Sequence, residues 1–285
     1  MSRRKLYDIL GVSIFWGIPI LLIIRLNFFK TGSEASKLYD SGIKKYDSEN
    51  YTGAIQDFTK AIELDSGYID AYQERGRVRY DLGDYTGAVQ DYDKVIELDK
   101  KDGEWYNWRG VVKYDLGDYT GAIQDYDKAI ELGRKDDYDA KTYNNRGITR
   151  YDLGDYTGAV LDYYKAIELF QNYDKGLLED YISVYAITYD RRGMVKYRLG
   201  DYTGAIQDYD KAIELDSGYT TAYINRGNFK INFKDINAGC RDLQKASNLG
   251  ETGIDDKIKE YCKWETISTS NSFSNIRARL NKFIF

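Results

Sequence analysis

The sequence predicts an all-α chain built as an α-solenoid, a row of stacked helix pairs, and three observations carry that prediction. The string Leu-Gly-Asp-Tyr-Thr-Gly-Ala occurs four times, starting at Leu82, Leu116, Leu153 and Leu199, with a weaker copy at Asn50-Tyr51-Thr52-Gly53-Ala54. An Arg-Gly pair recurs at Arg75, Arg109, Arg146, Arg192 and Arg226, and Gly42 holds the glycine's place in the first copy. Between these marks, apolar residues return every three or four positions, which is the period of an amphipathic helix. The anchor glycines Gly42, Gly76, Gly110, Gly147, Gly193 and Gly227 define six units with a basic period of 34 residues. The units run over 35–68, 69–102, 103–136, 140–173, 186–219 and 220–253, and the array over 35–250, with extra residues at 137–139 and 174–185.

Taken in chain order, the first element is the uncharged run Ile9 to Ile24, preceded by Arg3, Arg4 and Lys5. Eleven of its sixteen residues are Ile, Leu, Val or Phe. As a helix it would be ~24 Å long, and flanking Lys5 and Arg25 can reach toward the headgroups to cover a ~30 Å hydrocarbon core. Residues 1–30 are therefore expected to hold a single-pass signal anchor, which tethers the chain through residues 9–24. A removed signal peptide ending at Ser33-Glu34-Ala35 is the competing reading. The positive charges on the two sides balance, so the side of the membrane taken by the array stays open.

The second unit shows how each repeat reads. A first helix is expected over Ile69–Leu82, stopped by Gly83, because glycine takes the left-handed conformation at low cost. Asp84 and Thr86 can cap the next helix, read as Gly87–Leu98, with Ala88, Val89, Tyr92, Val95 and Ile96 on one face. Gly76 and Ala88 are small where two helices would cross closely. One such pair cannot bury its apolar face alone, whereas stacked neighbours can. An aspartate recurs in every second helix (Asp57, Asp91, Asp125, Asp162, Asp208, Asp242), and Arg75 is expected to pair with Asp91, with the same partnership along the array. The twelve residues 174–185 keep helical spacing at Leu177, Leu178, Tyr181, Ile182 and Tyr185, which predicts longer helices at that joint. Residues 254–264 read as a capping helix for the open end of the stack, and 265–285 as a tail. Within it, Ile276 to Phe285 is basic and amphipathic.

The period of 34, the early aromatic (Tyr72, Tyr106, Tyr143, Tyr189, Tyr223), the glycine four residues on, the Leu-Gly-Asp-Tyr turn and the Ala-Ile-Glu-Leu ending together resemble the tetratricopeptide repeat. The resemblance departs from the family pattern where proline usually closes the second helix, since Ser66, Lys100, Arg134 and Ser217 stand there. By the resemblance, first helices line a concave groove that binds protein or peptide. The groove candidates are then Tyr46, Tyr80, Tyr114, Tyr151 and Tyr197, with Asp81, Asp115 and Asp152 beside them. The alternative role for each tyrosine is packing of one first helix on the next. The Lys, Asn and Arg clamp with which chaperone-binding members hold a C-terminal carboxylate is missing, because Tyr39, Ile43, Glu74, Glu104 and Trp108 occupy its places.

Composition sets further bounds. The chain of 285 residues has no histidine, which excludes His-dependent triads and metal sites, and two cysteines, too few for a four-cysteine zinc site. Cys240 and Cys262 can form a disulfide if the array is exported, or remain buried thiols in the cytoplasm. The acids recur once per repeat, as scaffold residues do, so no catalytic constellation, cofactor or small-molecule substrate is expected. Residues 35–264 carry 33 Lys+Arg against 43 Asp+Glu, while the residues after Trp264 carry a net +2. An acidic array argues against nucleic acid and for protein partners, including basic ones. The expected role is a non-catalytic, membrane-tethered protein-binding scaffold. A narrower version is an assembly or import factor for membrane complexes, and the alternatives are a secreted soluble binder or an enzyme with its site at 174–185 or in the tail.

Overall fold

The computed structural model describes residues 32–133, 138–173 and 175–262, all of whose regular structure is helical. The expected anchor at 9–24 and the basic tail at 276–285 lie outside the described residues. Among the described residues no helix is long and apolar enough to cross a membrane. The chain divides at 134/135 into two units. The first holds α1 (32–47), α2 (Tyr51–Leu64), α3 (Ile69–Asp81), α4 (Tyr85–Leu98), α5 (Gly103–Asp115) and α6 (Tyr119–Leu132). The second holds α7 (Tyr138–Asp152), α8 (Tyr156–Gln171), α9 (Lys175–Arg198), α10 (Tyr202–Leu215), α11 (Thr220–Asn232), α12 (Ile236–Asn248) and α13 (Asp255–Tyr261).

The recurring turn string has one job per residue. The leucine is the exposed C-cap of the first helix, as at Leu82 and Leu116. The glycine takes positive φ, +77° at Gly83 and +87° at Gly117, where a Cβ would be strained. The two degenerate copies put Glu49 and Lys234 in that conformation instead, with φ of 61° and 68°. The aspartate is the N-cap: the Asp84 carboxylate accepts from the Gly87 N–H at 3.0 Å, and Asp118, Asp155 and Asp201 do the same for Gly121, Gly158 and Gly204. The second helix therefore starts at Tyr85 rather than Gly87, and Thr86 lies inside it, because one cap satisfies the first turn.

Within each unit, consecutive helices pair and each pair packs on the next. The anchor glycine lets the pair close. A Cβ at Gly110 would stand 2.7 Å from the Tyr126 ring, and the same clash recurs at Gly42, Gly147 and Gly193. Phe58, Tyr126, Tyr163 and Tyr209 are the large buried side chains filling these crossings.

The joint expected at 174–185 holds a longer helix, as its apolar spacing predicts. Residues 175–185 form the first half of the 24-residue helix α9. Leu178, Tyr181, Ile182 and Tyr185 pack with Phe170 and Tyr173, and the Lys141 ammonium lies 4.1 Å from the Tyr181 ring centre. The residues thus serve packing. The cap α13 is shorter than the expected 254–264, and Ile254 before it is buried with Tyr223, Leu243 and Ala246. A disulfide joins Cys240 of α12 to Cys262 just past α13, with Cα atoms 5.6 Å apart.

Candidate functional site

The recurrent buried aspartates of the array are paired internally. The expected Arg–Asp partnership forms in all five repeats that have the arginine: Arg75–Asp91, Arg109–Asp125, Arg146–Asp162, Arg192–Asp208 and Arg226–Asp242, each through two guanidinium nitrogens. A second cation one helical turn on, Arg79, Lys113, Arg150, Lys196 or Lys230, reaches the same buried carboxylate at 2.8–2.9 Å. In the first repeat, which lacks the arginine, Lys45 and Ser41 hold Asp57 at 2.6 Å. Burial works against the Asp57 carboxylate, but these two partners outweigh it and hold its pKa below the ordinary value. Arg109 also reaches back to Asp93, and Arg226 to Asp210, each an aspartate of the preceding pair. Burial opposes the Arg109 charge, yet Asp125 and Asp93 overcome it and raise its pKa. The recurrent acids thus clamp helices within and between pairs.

The tyrosine and aspartate candidates of the first unit also meet one another. The Tyr46 hydroxyl donates to Asp81 at 2.6 Å, and the Tyr80 hydroxyl donates to Asp115. Each pairs one first helix with the next, forming a ladder. The bond to Asp81, then burial, raises the Tyr46 pKa; burial, then the bond to Asp115, raises that of Tyr80. Each ladder tyrosine also leans on the tyrosine opening its second helix, as Tyr114 does on Tyr119 at 5.4 Å between ring centres.

In the second unit the ladder changes partners. Arg198 replaces the aspartate opposite Tyr151, and the bond between them raises the Arg198 pKa. Tyr197 has no aspartate to meet, because Asn232 stands in that register. Its ring packs instead on Phe229, 5.7 Å away, and Phe229 stacks on Phe233 at 4.5 Å. The result is a concavity of about 210 Å³ lined by Tyr151, Met194, Tyr197, Tyr209, Phe229 and four polar residues, Arg198, Asn225, Asn228 and Asn232. Asn225 is committed to the wall, since its amide donates to the buried Asp190 carboxylate at 2.9 and 3.1 Å.

Of the residues singled out from the sequence, only Tyr151 and Tyr197 line this concavity. Asp152 lies exposed beside Tyr151, and Tyr114 is half-buried. Phe229, Asn228, Asn232, Met194 and Arg198 were not singled out. Their signal is a break in register: Asn228-Phe229-Lys230-Ile231-Asn232 stands where the third unit has Val111-Val112-Lys113-Tyr114-Asp115.

An apolar, aromatic floor with amides and one cation at the edge suits an extended or helical peptide, with apolar side chains buried and peptide groups met by amides. A second unusual surface lies on α8, where Leu161 is 62% and Tyr164 46% exposed, with the Arg192 guanidinium over the Tyr164 ring at 4.3 Å. Among the described residues no group of His, Cys, Asp or Glu side chains is placed to hold a metal ion.

Tetratricopeptide-repeat models match residues 73–140, 140–173 and 193–230. No curated protein matches the sequence. Among solved structures, the chain is similar to the Cut9–Hcn1 hetero-tetramer of the APC/C at 16% identity and a TM-score of 0.64, covering 80% of this chain and 42% of that one. It is similar to PilF of Pseudomonas aeruginosa at 16% identity and a TM-score of 0.61, covering 83% and 99%. It is also similar to YrrB, a tetratricopeptide-repeat protein described as having an unusual peptide-binding site, at 21% identity and a TM-score of 0.51, covering 69% and 94%. At these identities the likeness shows the fold alone. Tetratricopeptide-repeat signatures thus cover residues 73–173 and 193–230 of the chain.

Proposed function

We propose that this tetratricopeptide-repeat chain is a non-catalytic scaffold, tethered to a membrane through residues 9–24, that binds a protein or peptide on the first-helix surface of its second unit. The observation that carries the reading is the break in the Tyr–Asp ladder. Where first helices of the first unit consume their own polar groups, the last first helix presents Phe229, Asn228 and Asn232 around the half-buried Tyr197. Partly exposed aromatic surface rimmed by polar groups is what interfaces use as anchors. Tethering is favoured over release at Ala35 because Ala35 is buried, 1% exposed, inside α1. Cleavage there would remove the first turn of α1.

The test is co-isolation from native membranes with the intact chain, followed by binding measurements on each purified candidate. Tyr197→Ser together with Phe229→Ser should abolish capture of the true partner, whereas Leu161→Ser on α8 should not. Equal capture by both variants would move the site elsewhere. Extraction with alkaline carbonate tests the tether; release of the intact chain would contradict it.

A further inference from the structure

The concavity in the second unit does not stop at Asn232. Asn228 and Asn232 also line an adjoining hollow with Ile231, Lys257 and Tyr261, so the trough continues onto the face of α13. The Lys257 ammonium reaches the Asn228 amide oxygen at 3.5 Å and ties the cap to this wall. Tyr261 is 41% exposed, and the next residue, Cys262, is pinned to α12 by the disulfide. The chain therefore leaves the array at one end of the trough, in a fixed place.

The sequence beyond Cys262 is suited to fill that trough. Residues 263–275 are a connecting stretch rich in Ser, Thr and Asn that also carries Trp264, Ile267 and Phe273, and 276–285 read Ile-Arg-Ala-Arg-Leu-Asn-Lys-Phe-Ile-Phe. Ile276, Leu280 and Phe283 recur at the helical spacing of four and three, with Arg277, Arg279 and Lys282 off that stripe. The match is apolar, Ile276, Leu280 and Phe283 against the aromatic floor, since the charged residues lining the two hollows, Arg198 and Lys257, have the same sign as the tail. Reach is ample. Thirteen connector residues span up to about 45 Å when extended. The three first helices α7, α9 and α11, at about 8–10 Å between neighbouring axes, span only about 20 Å. Because the connector tethers the segment, its effective concentration at the trough is on the order of millimolar, so even weak contacts would keep it docked.

We infer that residues 276–285 dock in cis in the Tyr197–Phe229–Tyr261 trough and that an outside partner must displace them. This rests on the reading of the trough as the binding surface and adds its resting occupant.

The test places a photoreactive phenylalanine at Asn228 of the full-length chain in its native membrane and maps cross-linked peptides by mass spectrometry. The expected product is intramolecular and lies within 276–285. It should disappear when Leu280→Asp and Phe283→Asp are added, and the same probe at Lys165 on α8 should not produce it. A labelled peptide of residues 274–285 should bind the full-length Leu280→Asp, Phe283→Asp chain at least tenfold more tightly than the unaltered chain. A tail cross-link found only between differently tagged copies would overturn docking in cis in favour of a second copy. Cross-linking of Asn228 to another protein with no tail product, and no peptide binding, would overturn it while leaving the trough as the binding surface. Tail products found only with lipid would assign 276–285 to the membrane instead. If Asn228 captures nothing and Phe229→Ser changes no binding, both readings fall together.

Discussion

Asp190→Asn should make the protein more stable at neutral pH and leave it nearly unchanged in acid. Asp190 is fully buried on α9, where the side-chain amide of Asn225 and the hydroxyl of Tyr219 donate to it from α11 and the residue before it. The charged or titratable groups that face it are Arg191 of its own helix, Tyr219, and Tyr209 of α10. Burial raises its pKa from 3.8 to about 6, and the donors and Arg191 only partly offset that. The sign follows from linkage. The folded-state pKa lies above the unfolded value, so the stabilisation is fully present below about 4 and lost as pH rises through about 6. A shift of roughly two units at 1.36 kcal/mol each sets a penalty of about 3 kcal/mol at pH 7.5. Asparagine escapes that penalty but accepts through one oxygen instead of two, so a net gain of ~1–2 kcal/mol is expected. Asparagine already stands in this register at Asn107 and Asn144. Urea unfolding of both chains at pH 4 and 7.5 measures the difference, with hydrogen exchange of α9 and α11 as the local readout, because repeat stacks need not unfold in one step. A destabilised variant at pH 7.5, or a difference that does not vary with pH, would refute the reasoning.

Three further outcomes are expected of the scaffold. In a double-mutant cycle with Arg109→Ala and Asp125→Ala, a coupling of ~1.5 kcal/mol or more is expected, because the pair is bidentate and mostly buried; zero coupling would mean that the pair does not act as one. Gly110→Ala should cost ~1–3 kcal/mol despite alanine's better helix propensity, since the added Cβ meets the Tyr126 ring at 2.7 Å; thermal unfolding at or above the parent Tm would show that the ring yields freely. Tyr163→Phe should be neutral or stabilising by up to ~1 kcal/mol, because the buried hydroxyl has no hydrogen-bond partner among the described residues and Phe58 fills the same place in the first unit; a clear loss in urea unfolding would reveal one.

The repeating parts of this fold were legible because repetition states a physical requirement several times over. Leu-Gly-Asp-Tyr encodes a C-cap, a left-handed residue and an N-cap, and the arginine and aspartate sixteen residues apart announced their pairing. The extent of α9 was less clear, since a period of 34 cannot say to which neighbour twelve extra residues belong; their apolar stripe resolves it by packing on Phe170 and Tyr173. The two cysteines permitted bonded and free states alike, because spacing along the chain does not report distance in space. The candidate site was read least well. Tyr46, Tyr80, Asp81 and Asp115 were conspicuous because they recur, and the first unit uses them on one another. Phe229, Asn228 and Asn232 differ from their counterparts in other units, and a surface that recognises something specific is built from such differences.

The most direct measurement therefore restores the shared pattern. Asn228→Val, Phe229→Val, Ile231→Tyr and Asn232→Asp together give α11 the first-helix residues of the third unit and supply the Tyr197 hydroxyl with a carboxylate in the ladder's register. The account predicts a chain with unchanged helical content and equal or greater resistance to urea, whose affinity for the partner isolated from membranes falls at least tenfold. Full affinity in that stably folded variant would contradict the claim that the broken ladder is the recognition surface.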